Sequence, residues 1–269
     1  MNYKMIVLDL DGTLTNRDKE ITLRTREVLM EAQRQGKIVV LASGRPTQGV
    51  APLARELELE KYGSYILSYN GGMITNCRTG KAVAAALLPP EINRKVIGLA
   101  REQQVNILTY EKDTIITLKK KDPYVELEAR INQMEIKEIS DMENYVEFAV
   151  PKFLMVDDGD YLAMVEPRVK AALGRDFSVY RSDPFFLEIL PKGIDKAKRL
   201  EVLLEILGIS REEMIACGDG YNDLSMIRFA GLGVAMGNAV LPVRNAADYI
   251  TGTNDEDGVA QVVEKFMLS

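Results

Sequence analysis

The sequence contains no histidine and only two cysteines, which narrows the chemistry open to this chain. Zinc sites in proteins are built mainly from histidine and cysteine, and histidine is the commonest general base. A zinc site and a histidine base are therefore excluded or nearly so. Cys77 and Cys217 are too few and too far apart in sequence for a metal knot. So few cysteines favour a reducing compartment, and we expect a cytoplasmic protein.

Long apolar runs and an excess of positive charge are also missing. The longest purely apolar run, residues 82–88, is far shorter than the roughly 20 residues that a membrane span needs. The first predicted strand begins almost at the N-terminus, so we expect no signal peptide. A net charge of −6 disfavours nucleic acid as a partner, because the phosphate backbone favours basic surfaces. An acidic chain that binds anionic substrates must do so through a local site.

Among the residues that are present, a pair of aspartates near the N-terminus is the most informative. Asp9 and Asp11 belong to a D-x-D-G-T sequence that directly follows the apolar residues 5–8. A carboxylate at the end of a buried strand is expensive to desolvate unless a cation or hydrogen-bond donors meet it. An Asp-Gly turn with a local cap would explain an isolated D-x-D-G equally well. The remaining motifs favour the chemical interpretation.

A second acidic motif lies much further along the chain and repeats this design. The apolar residues 214–217 lead into a G-D-x-x-N-D sequence that contains Asp219 and Asp223. Like charges repel, so these two aspartates would share a site with Asp9 and Asp11 only around a hard divalent cation. Oxygen ligands point to Mg²⁺ rather than zinc, and we therefore predict a magnesium site.

Two further elements are suited to binding phosphate. Ser43, Gly44 and Arg45 follow the apolar residues 38–42 and precede a helical stretch, so a hydroxyl and loop N–H groups can face an anion there. Lys196 opens a predicted helix, where a cation opposes the helix dipole and is better explained by a bound anion. Simpler alternatives stay open for both elements: a serine N-cap with its arginine in solvent, and an ordinary surface lysine.

Strands and helices alternate along both ends of the sequence. This order is typical of an α/β fold with a Rossmann-like, doubly wound parallel sheet, in which ligands bind at the carboxyl ends of the strands. The motifs described above all fall at that edge. Residues 83–188 have a different sequence pattern, with predicted helices and alternating runs of their own. We predict an inserted α/β domain there. Residues 1–82 and 189–269 then form the core.

Taken together, these motifs resemble those of the haloacid dehalogenase-like (HAD) phosphatase superfamily, over the whole length of the chain. The likeness is closest to the Cof-type branch, subfamily IIB. Ser43 stands where threonine is more usual and keeps the hydroxyl, and Ala197 follows the lysine where glycine is common. The resemblance implies that residues 83–188 form a cap that closes over the site, excludes water and selects the substrate. The segments that support this branch are Ser43-Gly44-Arg45, Tyr69-Asn70-Gly71, residues 186–189 and residues 233–239.

The resemblance also implies a role for each site residue. Asp9 is the expected nucleophile, which forms an aspartyl-phosphate, and Asp11 is the acid and base, whose proton would be retained among neighbouring carboxylates. Mg²⁺ would be bound by Asp9, Asp219 and the backbone carbonyl of Asp11, with Asp223 behind them as an orienting group. The other residues would surround the phosphoryl group. Those expected to hold its oxygens are Ser43, Gly44, Lys196 and Asn222, with Arg45 and Asn70 at the border of the site.

We therefore predict a phosphoric monoester hydrolase that acts on a small phosphorylated metabolite, with sugar phosphates as the expected substrates. A sugar phosphomutase or phosphotransferase could use the same core, but it must keep water away from the aspartyl-phosphate. A non-enzymatic phospho-aspartate switch is disfavoured, because a receiver needs neither a large cap nor a D-x-D-G-T sequence. The sequence does not identify the individual substrate.

Overall fold

The structure, a computed structural model, describes residues 3–268, which fall into two compact units. One comprises the described residues up to Ala84 together with those from Asp195 onward, and we call it the core unit. The other, Ala85–Ile194, is the inserted unit. The predicted insertion, residues 83–188, starts close to this unit but ends too early. Its end falls inside a strand, Phe186–Pro191, that pairs with a neighbouring strand of the inserted unit.

The described residues form strands and α-helices in alternation. The strands are β1 (Met5–Leu8), β2 (Ile38–Ala42), β3 (Tyr65–Ser68), β4 (Met73–Asn76), β5 (Lys81–Ala85), β6 (Asn106–Glu111), β7 (Thr114–Thr117), β8 (Glu135–Glu138), β9 (Phe153–Val156), β10 (Phe177–Asp183), β11 (Phe186–Pro191), β12 (Met214–Gly218), β13 (Leu232–Ala235) and β14 (Tyr249–Ile250). The helices are α1 (Leu23–Arg34), α2 (Thr47–Glu56), α3 (Leu59–Tyr62), α4 (Pro90–Glu102), α5 (Pro123–Asn132), α6 (Met142–Tyr145), α7 (Gly159–Leu173), α8 (Lys196–Leu207), α9 (Leu224–Phe229), α10 (Leu241–Ala246) and α11 (Gly258–Phe266).

The core unit is built on an eight-stranded sheet with the order β14-β13-β12-β1-β2-β3-β4-β5. All neighbouring pairs from β14 to β3 are parallel, and β3 and β4 are antiparallel. The central strand β1 is buried at every residue, because helices cover both faces of a parallel sheet. Its position between β2 and β12 matters for function, since the carboxyl ends of these three strands lie side by side.

Side chains that alternate along β1 divide the core unit into two hydrophobic layers. Ile6 and Leu8 pack on one face with residues of α1, α2 and α11. Met5 and Val7 pack on the other face with Leu200, Leu203 and Leu204 of α8. The sheet is therefore covered by helices on both sides, and the predicted doubly wound parallel sheet is confirmed.

The inserted unit has a six-stranded sheet with the order β10-β11-β9-β6-β7-β8. Its neighbouring strands are antiparallel except for β7 and β8, which are parallel. One face of the sheet packs against α4, α6 and α7, where residues such as Val96, Met142 and Val165 are fully buried. The predicted α/β character of the insertion is thereby confirmed.

Several elements coincide with the sequence prediction and others are absent from it. The apolar residues 38–42 form β2, and Lys196 opens α8, as the sequence predicts. The prediction lacked β4, β5, β6, β8, β11, α3 and α6. β4 reverses direction at the end of the parallel sheet, so a pattern of strands alternating with helices does not reveal it. β8 is largely exposed, and its polar sequence has no buried face to mark it.

Over residues 3–268, the helices are all too short or too polar to cross a lipid bilayer.

Candidate active site

The carboxyl ends of β1, β2 and β12 bring the sequence motifs of the core unit together. Asp9 follows β1, Ser43 follows β2, and Asp219 follows β12. Leu8 is in register with Leu41 and with Cys217, so all three strands end at the same level. Parallel register thus joins residues that are far apart in sequence, as the fold class predicts.

Three carboxylates, from Asp9, Asp219 and Asp223, form an acidic group whose oxygens all lie within 4.8 Å of one another. Asp9 and Asp223 are buried, and Asp219 is partly exposed. The group is also tightly built, because Gly12, with φ +85°, leaves no room for a Cβ beside the Asp219 carboxylate. Glycine is required at position 12 for both reasons, the backbone conformation and the close contact.

Lys196 lies beneath this acidic group with its side chain completely buried. Its Nζ donates to Asp9 Oδ1 at 2.7 Å, to Asp223 Oδ1 at 2.7 Å and to the carbonyl of Ala42 at 2.9 Å. The anionic partner that the sequence predicted for this lysine is therefore a pair of carboxylates. Asp195 begins α8 by accepting from the backbone of Ala197 and Lys198, which fixes Lys196 in the first turn.

Asp223 has no carboxylate oxygen left free, which separates it from its two acidic neighbours. Its Oδ1 accepts from Lys196, and its Oδ2 accepts from the backbone N–H of Asp219 at 3.0 Å and of Gly220 at 2.9 Å. These contacts hold the loop that carries Asp219. In contrast, no donor among the described residues contacts Asp9 Oδ2 or Asp219 Oδ2, since the other oxygens of these residues accept from Lys196 and Thr13.

Burial and mutual repulsion raise the affinity of these carboxylates for protons. Burial, together with the charge of Asp223, raises the pKa of Asp9 to about 7 against the opposing effect of Lys196. Burial likewise raises the pKa of Asp219 to about 6, against the hydrogen bond from Thr13. Burial alone would lower the pKa of Lys196, but the charges of Asp223 and Asp9 hold it above its usual range. The group therefore carries more negative charge than Lys196 neutralises.

Asp11 is in a different environment, although it lies only two residues from Asp9. Arg45 donates to Asp11 Oδ2 from Nε at 3.1 Å and to Asp11 Oδ1 from Nη2 at 2.7 Å, and Lys19 Nζ donates to Oδ1 at 2.8 Å. Although burial opposes it, the hydrogen bonds and charges of Lys19 and Arg45 lower the pKa of Asp11. Its nearest partners are therefore two cations, and not the neighbouring carboxylates that were expected to retain its proton.

The remaining predicted residues lie around the same loops. Ser43 is buried, and its Oγ accepts from the backbone N–H of Arg45 at 3.2 Å. Asn70 approaches Gly44 so closely that a Cβ there would lie 3.0 Å from its amide nitrogen. Asn222 Nδ2 donates to Asn70 Oδ1 at 3.2 Å. The structure thus brings Asn70, which was assigned only to the border of the site, into contact with the residues expected to hold phosphate.

Residues that sequence reasoning did not assign also shape the site. Thr13 Oγ1 donates to Asp219 Oδ1 at 2.9 Å, and Asn238 Nδ2 donates to the Gly12 carbonyl at 2.8 Å. Thr13 and Asn238 belong to the D-x-D-G-T and 233–239 segments, so their motifs contained the signal. Lys19 lies in a polar loop with nothing in its sequence to distinguish it.

The acidic group fits a hard divalent cation. Its donors are all carboxylate oxygens, two of them without a hydrogen-bond donor among the described residues, and burial and mutual repulsion raise the pKa values of Asp9 and Asp219. Oxygen donors of this kind suit Mg²⁺ better than a softer metal. The residues present are therefore consistent with the predicted cofactor.

A Rossmann-like core with paired aspartates at the carboxyl edge of its sheet defines a class of phosphoryl-transfer hydrolases, and comparison with known proteins identifies the family. A sequence profile of haloacid dehalogenase-like hydrolases matches residues 6–263. The chain belongs to this family, and the predicted phosphatase class is confirmed.

Individual relatives are similar over their whole length. A 5-amino-6-(5-phospho-D-ribitylamino)uracil phosphatase of Bacillus subtilis is 30% identical, with 100% of this chain and 97% of that protein covered. The crystal structure of a haloacid dehalogenase-like hydrolase from Bacteroides thetaiotaomicron is 53% identical, with a TM-score of 0.94 over 98% of this chain and 99% of that one. A sugar phosphatase of HAD subclass IIB is 25% identical, with a TM-score of 0.77 over 98% of each chain.

Proposed function

We propose that this protein is a Mg²⁺-dependent phosphatase that hydrolyses small phosphorylated metabolites, foremost sugar phosphates, through an aspartyl-phosphate on Asp9. The observation that carries the proposal is the contrast between Asp9 and Asp11. Asp9 is buried, close to Lys196 and to two further carboxylates, whereas Asp11 is partly exposed and bound by cations. Two carboxylates in opposite environments can take different roles in one reaction.

The proposed reaction has two steps. The carboxylate of Asp9 attacks phosphorus as the bond between phosphorus and the ester oxygen breaks, and Asp11 gives its proton to that oxygen. Asp11 then takes a proton from water, which attacks the aspartyl-phosphate and releases inorganic phosphate and free Asp9. A bound phosphoryl dianion competes with Asp11 for Arg45 and Lys19. That competition favours the protonated Asp11 that the first step needs.

The groups proposed to hold the metal are the free oxygens of Asp9 and Asp219 and the backbone carbonyl of Asp11. Mg²⁺ bound there would neutralise charge on the phosphoryl oxygens. Asp223 would keep an orienting role, because Lys196 and two backbone N–H groups already occupy its oxygens. Lys196 would hold Asp9 and stabilise charge on the phosphoryl group in the transition state.

Ser43, Gly44 and Asn222 are proposed to bind the other phosphoryl oxygens, together with Asn70 and Arg45. Ser43 has a hydroxyl at the carboxyl end of β2, and Asn222 and Asn70 contact each other through their amides. Apart from Arg45, these groups are neutral donors. They would orient the phosphoryl group, and the cations of the site would supply most of the attraction.

The inserted unit is proposed to select the leaving group, which makes it the specificity domain. The core unit contains every residue assigned to the phosphoryl group, and the inserted unit contains none of them. The names of two relatives, a sugar phosphatase and a phosphatase of a ribityl phosphate, support polyol phosphates as the substrate class.

A substrate screen with purified protein tests the proposal. Phosphorylated sugars, sugar alcohols, nucleotides and cofactors are supplied with Mg²⁺ and without any bisphosphate activator, and released phosphate is measured. We expect sugar or sugar-alcohol phosphates to have the highest kcat/KM. Release that depends on a bisphosphate activator would instead indicate a phosphomutase, and no release from any monoester would contradict the proposal.

A further inference from the structure

Lys19 is the second cation on Asp11, and it differs from Arg45 in how it is placed. Its Nζ lies 2.8 Å from Asp11 Oδ1, the same oxygen that Arg45 Nη2 contacts at 2.7 Å. The Lys19 side chain is 62% exposed, compared with 24% for Arg45. A leaving oxygen that takes a proton from Asp11 must approach one of its carboxylate oxygens, so Lys19 already lies where a substrate ester would arrive.

Asp11 does not need Lys19 as a partner. Arg45 alone reaches both of its oxygens, with Nη2 at 2.8 Å and Nε at 3.1 Å from Oδ2 in addition to the contact with Oδ1. Such a planar, two-sided contact satisfies a carboxylate by itself. Lys19 can therefore leave Asp11 as the substrate arrives while Arg45 still contacts it, before the phosphoryl group competes for Arg45 as well.

The turn that carries Lys19 is held in place from both sides. Asn16 Oδ1 accepts from the backbone N–H of Asp18 and of Glu20, and Lys19 takes a left-handed conformation with φ 64°. Arg17 anchors the turn to Asp255 through its backbone N–H at 2.9 Å and its Nε at 2.8 Å. These contacts fix the position of the Lys19 backbone beside Asp11.

The net charge of the site indicates a role for Lys19 in binding an anion. If Lys19 is left out, the site has four aspartates, Asp9, Asp11, Asp219 and Asp223, and two cations, Lys196 and Arg45. A divalent cation would then bring these six side chains to zero net charge. A phosphate dianion would then gain no net attraction, in a protein whose overall charge is −6. Lys19 is the residue that makes the metal-loaded site positive.

We propose that Lys19 is a substrate-binding residue that pairs with Asp11 in the free enzyme and donates to the phosphate ester of the bound substrate. The inference rests on the proposed phosphatase function and adds a residue to the binding of the phosphoryl dianion. It also explains why one carboxylate has two cationic partners in the substrate-free site.

Lys19→Gln and Lys19→Arg are compared with wild type and with a matched control, Lys61→Gln. Lys61 is 65% exposed and lies 2.8 Å from Glu58, so it reproduces the exposure and ion-pair length of Lys19 away from the site. KM and kcat for para-nitrophenyl phosphate are measured at low and high ionic strength. The second measurement is the rise in melting temperature that inorganic phosphate produces in the presence of Mg²⁺, which requires no turnover.

We expect Lys19→Gln to raise KM by about threefold to tenfold with kcat nearly unchanged, and to reduce the phosphate-induced shift in melting temperature. The salt dependence of KM should weaken in the same variant, since a screened charge has been removed. Lys19→Arg should recover most of the wild-type affinity and most of the phosphate-induced shift in melting temperature. Lys61→Gln should match wild type.

The inference is overturned if Lys19→Gln matches wild type in KM and in the phosphate-induced shift. It is also overturned if Lys19→Arg is as impaired as Lys19→Gln, because geometry rather than charge would then matter. A wild-type protein that releases phosphate from no monoester would defeat the proposed function. The phosphate-induced shift would still test Lys19 in that case.

Discussion

The candidate active site contains two triads of charged residues with opposite composition. In the inner triad, Asp9 and Asp223 share the single cation Lys196, and these side chains are 10%, 0% and 0% exposed. In the outer triad, Asp11 has two cations, Arg45 and Lys19, and its side chain is 40% exposed. The same residue types therefore produce a surplus of negative charge in the interior and a surplus of positive charge at the rim.

This difference assigns each triad a different partner. Surplus negative charge in a buried group attracts a metal ion, and burial together with the nearby charge of Asp223 raises the pKa of both Asp9 and Asp219. Surplus positive charge at the rim attracts an anionic substrate, and the lowered pKa of Asp11 has the same origin. Neighbouring positions in one motif thus differ because their environments differ.

Removing the nucleophile should produce the largest effect. Asp9→Asn is expected to lower kcat by at least about 10³-fold, because an amide cannot form the covalent intermediate. The substitution keeps the volume of the side chain, so circular dichroism should show an intact fold. Glu27→Gln, an exposed change on α1 of the core unit, is the control and should keep most of the activity. A folded Asp9→Asn protein with substantial phosphate release would contradict the assignment.

Removing the acid and base should produce a smaller effect that depends on the leaving group. Asp11→Asn is expected to lower kcat/KM by roughly 10²–10⁴-fold for a sugar phosphate, the usual contribution of general acid–base catalysis. The loss in the first step should be much smaller for para-nitrophenyl phosphate, whose leaving group needs no proton. Burst kinetics with both substrates separate that step from hydrolysis of the aspartyl-phosphate. Equal losses in the burst rate would mean that Asp11 does not protonate the leaving oxygen.

Removing one cation from each triad should lower the free energy of unfolding by different amounts in the two triads. Lys196→Met leaves two buried carboxylates unpaired and is expected to lower the free energy of unfolding in EDTA by about 3–5 kcal/mol. Arg45→Met leaves Asp11 with Lys19 and partial solvent, and should lower it by about 1 kcal/mol or less. Urea unfolding curves give both values. Similar losses in the two variants would remove the proposed distinction between a buried and an exposed triad.

The smallest effect is on the pH dependence of stability without metal. Asp9 and Asp219 have folded-state pKa values raised from 3.8 to about 7 and about 6, so they favour the folded state at low pH. This contribution is lost as the pH rises through those values. The chain has no histidine, so few other side chains titrate there. In EDTA the melting temperature should therefore fall from about pH 5 to about pH 7 and level off above that.

Mg²⁺ provides the control for this effect, because a bound cation keeps both carboxylates ionised and compensated. The fall in melting temperature should be smaller with Mg²⁺, and smaller in Asp9→Asn even in EDTA. An identical pH dependence in all three samples would show that these carboxylates are not coupled to metal binding.

The sequence was informative where the candidate functional residues lie together in a short motif. The D-x-D-G-T and G-D-x-x-N-D motifs each follow an apolar run, and this local order suffices to place Asp9 and Asp219 at the ends of strands. The helix after Lys196 has a recognisable end at Gly208 and an apolar stripe, so its bounds were predictable. Elements whose residues lack such periodicity, such as β8, were not predictable.

Which side chains contact one another was decided only by the tertiary structure. The sequence determined the α/β class, the phosphatase family and the carboxylates at the strand ends, because these depend on residue type and local order. Pairing of Lys196 with Asp9 and Asp223, and of Asp11 with Arg45 and Lys19, depends on strand register and on loops anchored elsewhere. Electrostatic energy changes steeply with distance and burial, so the same aspartates could not be ranked by proton affinity before their neighbours were known.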